Sequence, residues 1–358
     1  MSFFTMEQEQ KRDIRKLSLA ELEVFFLSIG EKKFRAKQVY DWLWNKRLKN
    51  FAEMTNLSKA TRERIEQHFV INHIRVDQMK RSVDGTIKNA VKLYDGKIVE
   101  SVLIPTPKRI TACVSSQVGC SLDCNFCATA RLKRMRNLHP DEIFDQVAAI
   151  MEEAKVYFDR PLTNIVFMGM GEPLLNYANL LEAIEKITSP EGLGISPKRI
   201  TVSTVGVCKM IRKLADDEVK FNLAVSLHSA INETRSRLMP INDSNPLEDL
   251  ADALRYWYRK TKRKVTYEYV VWKGINDDEA HALALAKFCQ IIPSKVNLIQ
   301  YNPIDDGEFQ QADPDKLDLY VQVLERFDIV AKVRKSRGQD IDAACGQLAN
   351  KNDLVTLG

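Results

Sequence analysis

The chain has 358 residues, 45% of them hydrophobic and 28% charged, which supplies a full-size core and allows one large domain plus a small one. No run of 18 apolar residues occurs, and the opening MSFFTMEQEQKRDIRK has neither an apolar export segment nor a small-residue cleavage site; a cytoplasmic monomer with no membrane partner is expected. The net charge of +5 is unevenly placed: residues 1–90 hold 18 Lys and Arg against 12 Asp and Glu, while residues 91–358 hold 35 against 36, so an N-terminal module that meets a polyanion is expected.

In chain order, amphipathic helical patterns fall at about 19–29, 34–45 and 59–69, separated by short polar breaks. They predict a compact helical accessory domain over 1–74 that contacts RNA. Trp42 and Trp44 sit in the second helix beside Val39, Tyr40 and Leu43, and core packing suits them better than base stacking. Two strand-like runs, about 75–81 and 86–93, meet at Asp84-Gly85, a strong hairpin signal. With a run at 98–104 they form a β-rich connector over 75–108.

From residue 109 onward, apolar strand-like runs alternate with helical ones. The strands are predicted at about 110–115, 164–168, 199–203, 221–227, 265–272 and 296–300. Alternation of this kind implies parallel strands joined by right-handed crossovers. Six units give an α/β fold, an open (βα)6 partial TIM barrel over 109–358, with its site at the carboxyl ends of the strands.

Three cysteines decide the chemistry. Cys120, Cys124 and Cys127 lie within CVSSQVGCSLDCNFCATA, three thiols in eight residues. Thiolates are soft donors suited to iron-sulfur clusters or zinc, and a usual cluster takes four. Three leave one iron of a 4Fe-4S cluster open to substrate or cofactor. Phe126 adds apolar cover beside the last thiol. A structural zinc knuckle completed by His139 or Cys113 is the alternative. The odd total of seven cysteines fits metal ligation rather than a disulfide framework.

The segments CVSSQVGC, FMGMGEPLLN, TVSTVG, AVSLHS and RGQDIDAACGQL, spanning about residues 100 to 350, resemble the RlmN family of radical S-adenosylmethionine (SAM) enzymes. The amino-terminal part matches that family more loosely. The resemblance implies the barrel fold of radical SAM enzymes, one 4Fe-4S cluster and two SAM molecules per turnover. It also implies methylation of carbon 2 of adenine 2503 in 23S rRNA and of adenine 37 in certain tRNAs, with the base extruded from its stack. Gly171, Glu172, Ser203, Ser226, Leu227, His228 and Asn302 are the SAM contacts it implies. Each is also an ordinary strand-end residue taken singly.

By the same resemblance, Cys345 takes a methyl group from a first SAM, and a radical from a second SAM removes hydrogen from that S-methyl. The methylene radical adds to adenine, whose carbon 2 has no lone pair for direct displacement. Glu100 takes the ring proton, and Cys113 forms a disulfide with Cys345 to release the product. A flavodoxin or ferredoxin is the reducing partner implied. Cys208 and Cys289, in helical patterns, read as core residues. Where family members commonly have a glycine-containing segment after the third cluster cysteine, this chain has Ala130-Arg131-Leu132-Lys133-Arg134-Met135.

Basic clusters follow at Arg131, Lys133, Arg134 and Arg136, from Arg255 to Lys264, and at Lys332, Arg334, Lys335 and Arg337; singly they read as solvated faces. Methylation at carbon 8 of the same adenine, a zinc-containing RNA-binding protein without activity, and a radical activase of a protein substrate are the other readings.

Overall fold

The computed structural model describes residues 11–304 and 308–350; the opening MSFFTMEQEQ lies outside them. Two compact units result, residues 11–74 with 185–194, and residues 75–184 with 195–350. In the first, α1 (Leu19–Ser28), α2 (Phe34–Trp44) and α3 (Lys59–His68) match the periodic segments to within a residue. Ser18 starts α1 with a capping box, its Oγ accepting from Glu21 N at 3.2 Å while Glu21 Oε2 accepts from Ser18 N at 2.7 Å. Ile14, Leu22, Phe26, Val39, Trp44 and Ile65 make the core. Trp44 is buried, as its place on the apolar face requires, and Trp42 is half-buried with Nε1 donating to Asn56 Oδ1 at 2.7 Å.

Among the described residues of the second unit ten strands form one sheet whose spatial order is the chain order. Three antiparallel strands, β1 (Arg75–Arg81), β2 (Ile87–Lys92) and β3 (Ile98–Pro105), lead to β4 (Ile110–Cys113). The β1–β2 turn is built on Gly85, φ +86°, with Asp84 Oδ1 accepting from Thr86 N. Parallel strands follow: β5 (Asn164–Phe167), β6 (Ile200–Thr204), β7 (Asn222–Ser226), β8 (Val265–Val271), β9 (Ser294–Gln300) and β10 (Val330–Arg334).

The crossovers are α4 (Pro140–Phe158), α5 (Tyr177–Thr188), α6 (Cys208–Asp216), α7 (Asn232–Leu238) with α8 (Leu247–Thr261), α9 (Glu279–Cys289) and α10 (Pro314–Arg326). Every residue of β8, VTYEYVV, is buried, as expected of a parallel strand covered on both faces. The run from Arg255 ends α8 and leads into β8. Cys208 opens α6 and Cys289 closes α9, both buried.

The structure corrects the strand count. Among the described residues seven strands run parallel, the six expected and β10, which extends the sheet beyond β9. Its sequence VAKVR is largely exposed, so it offers no apolar run to read. Among the described residues no helix is long and apolar enough to cross a membrane.

Candidate active site

The carboxyl ends of the parallel strands open onto one cavity. The loop after β5 contributes Gly171 and Glu172, the ends of β6 and β7 contribute Ser203 and Ser226, and residues just beyond β7 and β9 contribute His228 and Asn302. Cys120, Cys124 and Cys127 line the same space, and so does Cys345. Ser203 Oγ and Ser226 Oγ stand 3.5 Å apart.

The cysteine loop is fixed by close backbone approach. Gly119, φ +74°, has no room for a side chain, since a Cβ there would lie 2.4 Å from Lys133 O. Asn125 N and Nδ2 donate to Leu238 O and Arg237 O at 3.1 and 2.6 Å. Behind the loop, Phe126 packs edge-on to His228, ring centroids 4.9 Å apart, and against Trp272 at 5.0 Å. Leu122, Met239, Val270 and Tyr301 complete the apolar backing. Burial pushes the thiols up, Cys120 to about 11, so a cation is needed to hold them as thiolates.

Glu172 is buried and accepts from Val205 N at 3.0 Å and Leu174 N at 3.1 Å, yet desolvation outweighs these bonds and raises its carboxyl to about 7. Gly169 and Gly171 let this turn press on the strand before the cysteine loop. A Cβ on Gly169 would sit 2.7 Å from Ser115 Oγ, and one on Gly171 2.5 Å from Gln117 Cβ. His228 adopts φ +56° and its Nδ1 accepts from Val270 N at 3.1 Å. Burial, helped by Arg235, drives its pKa down to about 3, so the ring is neutral with the proton on Nε2.

Cys345 stands in a short turn, with Gly346 at φ +86°. Asn302 Nδ2 donates to Cys345 O at 3.1 Å, and Ala128 N, next to the last cluster cysteine, donates to Gly346 O at 2.8 Å. Cys345 also lines a second cavity, on whose wall Cys113 lies. Cys113 is buried and its thiol is pushed up to about 12 by desolvation and by Cys345. All seven cysteines are free.

Two expected site residues lie elsewhere. Leu227 is fully buried and lines neither cavity; its amide donates to Glu268 O at 3.0 Å. Glu100 likewise lines neither. Its Oε1 faces the Lys88 ammonium at 3.2 Å, both side chains almost fully buried, and its Oε2 accepts from Ala349 N at 2.9 Å and Asn350 N at 3.3 Å. Lys88 Nζ also donates to Asp342 O at 3.2 Å. The pair therefore clasps the terminal segment on both sides of Cys345.

Comparison with known proteins agrees with this geometry. Residues 12–71 match the ribosomal RNA large subunit methyltransferase N-terminal domain, and residues 114–286 match the radical SAM superfamily. A Flavobacterium psychrophilum protein described as a probable dual-specificity RNA methyltransferase RlmN is 67% identical over 96% of this chain and 99% of its own. The chain belongs to the RlmN family. A Geotalea uraniireducens dual-specificity RNA methyltransferase RlmN is 42% identical over 96% of this chain and 98% of its own. The crystal structure of a radical SAM methyltransferase from Sphaerobacter thermophilus superposes with a TM-score of 0.88 at 38% identity, covering 94% of this chain and 99% of that one.

An RlmN-family chain is a radical SAM enzyme, which carries a 4Fe-4S cluster and SAM. The residues present fit such a cluster in donor chemistry: three soft thiols on one loop, an apolar backing, and neither His139 nor Cys113 on the cavity wall to complete a zinc site. Cys120, Cys124 and Cys127 would hold the cluster through their three thiolates.

The structure adds residues to the RlmN-like set read from sequence. Arg334 and Glu268 line both cavities 3.6 Å from one another, and the Arg334 pKa is raised, first by Cys345. Arg334 shows in sequence only as part of a basic cluster. Thr129, whose Oγ1 donates to Leu348 O at 2.6 Å, ties the cluster loop to the terminal segment and has no local signal. Arg136, in contrast, is spent on Glu142 and Asp95, each at 2.7 Å.

Proposed function

We propose that this chain methylates carbon 2 of adenine in RNA, at adenine 2503 of 23S rRNA and adenine 37 of tRNA, with Cys345 as methyl carrier and Cys113 as resolving thiol. The observation that carries this reading is the position of Cys345, which lines one cavity with the cysteine triplet and a second with Cys113. A thiol so placed can take a methyl group beside the cluster loop and pass it to a base without leaving its turn. Cys120, Cys124 and Cys127 hold the cluster, and when bound the cluster and SAM supply the methyl group and the radical chemistry.

The remaining roles fall to residues of the chain. Glu172, Ser203, Ser226 and Asn302 present polar atoms to SAM, and neutral His228 presents an Nε2 donor. The apolar wall of Phe126, Met239 and Val270 excludes water. Arg334 offsets charge on the two thiols during the exchange that ends in a Cys113–Cys345 disulfide. Glu100, which lines neither cavity, positions the segment that carries Cys345 through Lys88 and the amides of residues 349 and 350. A flavodoxin or ferredoxin as electron donor, a cytoplasmic setting and a monomeric state complete the proposal.

The test is anaerobic reconstitution with SAM and an adenine-containing RNA fragment. Methylated adenine and 5'-deoxyadenosine are expected, with the new methyl located at carbon 2 by NMR, and Cys345→Ala is expected to lose product entirely. Normal turnover by that variant refutes the carrier role, and a colourless zinc protein refutes the reading as a whole.

A further inference from the structure

Resting on the proposed RNA reading and deepening it, we infer that the second cavity is the seat of the RNA backbone. Its cationic wall on β9, β10 and the following loop grips phosphates flanking the extruded adenine. The two cavities differ sharply in charge. Among the described residues the first has Arg334 as its one lysine or arginine, already opposite Glu268 at 3.6 Å, and is otherwise lined by apolar groups, thiols and neutral polar groups beside Glu172. That space suits a base and a cofactor, not a phosphodiester.

The second holds Arg109, Lys295, Lys332 and Lys335, along with Arg334 and Arg337. Glu268 is the one acidic residue on its wall among the described residues. Arg337 lies 4.0 Å from Asp84 Oδ2 and Lys295 acts electrostatically on Glu268, whereas Lys332 and Lys335 have no ion-pair partner among the described residues. All three lysines are exposed.

Strand register explains why these charges converge. Lys295 pairs across from Val330, Asn297 from Lys332 and Ile299 from Arg334, so the three pairs lie on one face of β9–β10. Lys332 and Arg334 are therefore about 6.6 Å apart along that face. Charged side chains do protect an edge strand from pairing with another sheet, but that accounts for β10 alone. Lys295 is on an inner strand and Arg109 precedes β4 on the opposite wall.

A strand of RNA whose base reaches Cys345 must place anionic phosphates on both sides of it. Cys345 lies where the cavities meet, and the unpaired cations are on the second side. Polyanion binding of this kind is read by its salt dependence, because each phosphate neutralised releases counterions.

The experiment measures binding of an adenine-containing RNA hairpin to the reconstituted protein by fluorescence anisotropy across a salt series. It compares wild type with the triple variant Lys295→Gln, Lys332→Gln, Lys335→Gln, with Lys332→Gln and Lys332→Arg singly, and with Lys209→Gln. Lys209 is exposed on α6 and lies on neither cavity wall. The triple variant is expected to lose about 2 from the slope of log affinity against log salt and to bind roughly tenfold or more weakly near physiological salt. Lys332→Arg and Lys209→Gln should keep the wild-type slope, while Lys332→Gln lowers it. A triple variant with wild-type slope and affinity overturns the inference, and so does equal loss in Lys332→Arg and Lys332→Gln, which signals shape rather than charge. If wild type itself neither binds nor methylates RNA, the proposed function fails first and the inference falls with it.

Discussion

Glu172 joins a fully buried carboxyl to the cavity where SAM is proposed to bind, and its protonation has a cost that can be measured. Its pKa is raised from the ordinary 4.5 to about 7 by desolvation, so the folded state favours the protonated form. Below pH 4.5 both folded and unfolded chains carry the proton and the residue costs nothing. As pH rises through this interval the unfolded chain ionises first, so stability is lost progressively until about pH 7, after which the loss is constant. Relative to Glu172→Gln, wild type without SAM should therefore lose roughly 2–4 kcal/mol between pH 4.5 and pH 7.5, read from urea midpoints. A pH-independent difference between the two would show that Glu172 is ionised throughout. The sequence shows the residue and its glycine turn, but not this energetics, which comes from Val205, Leu174 and the apolar surroundings assembled by the fold.

At the scale of elements, the terminal segment bearing Cys345 has almost no regular structure, and it is held by side chains far away in sequence. The Lys88–Glu100 pair is nearly dry and spends its remaining hydrogen bonds on Asp342, Ala349 and Asn350. Removing one partner of a buried pair leaves a bare charge, which costs about 3–5 kcal/mol. Lys88→Met should thus lower stability by that amount in urea unfolding and cut methyl transfer, whereas Lys88→Met with Glu100→Leu should recover part of the stability and none of the activity. Loss under 1 kcal/mol in the single variant would mean water reaches the pair. None of this clasp is visible in sequence, where Lys88 is one charge in a strand and more than 240 residues separate Glu100 from Ala349. Periodicity reports faces of single elements. Hence the helices of the first unit and six parallel strands could be read to within a residue or two, while β10, with charges at Lys332 and Arg334 and an exposed face, could not.

Across the whole molecule, positive charge is placed on both compact units. The first unit carries exposed Lys32 and Lys49 among its cations, and its residues 12–71 match a domain named for a ribosomal RNA methyltransferase. The second carries the lysines of β9 and β10. If the first unit grips RNA through phosphates alone, neutralising its charges weakens capture without touching the reacting atoms, so KM and not kcat should change. Lys32→Gln with Lys49→Gln is expected to raise the KM for RNA several-fold near physiological salt, and the increase should shrink as salt rises. Combined with the three Gln substitutions of the second unit, the effects on log affinity should add if each unit neutralises its own phosphates. Measured by steady-state methylation at two salt concentrations, a fall in kcat for the Lys32 and Lys49 variant would instead give the first unit a part in orienting the adenine, and strong non-additivity would mean that both units hold the same stretch of RNA.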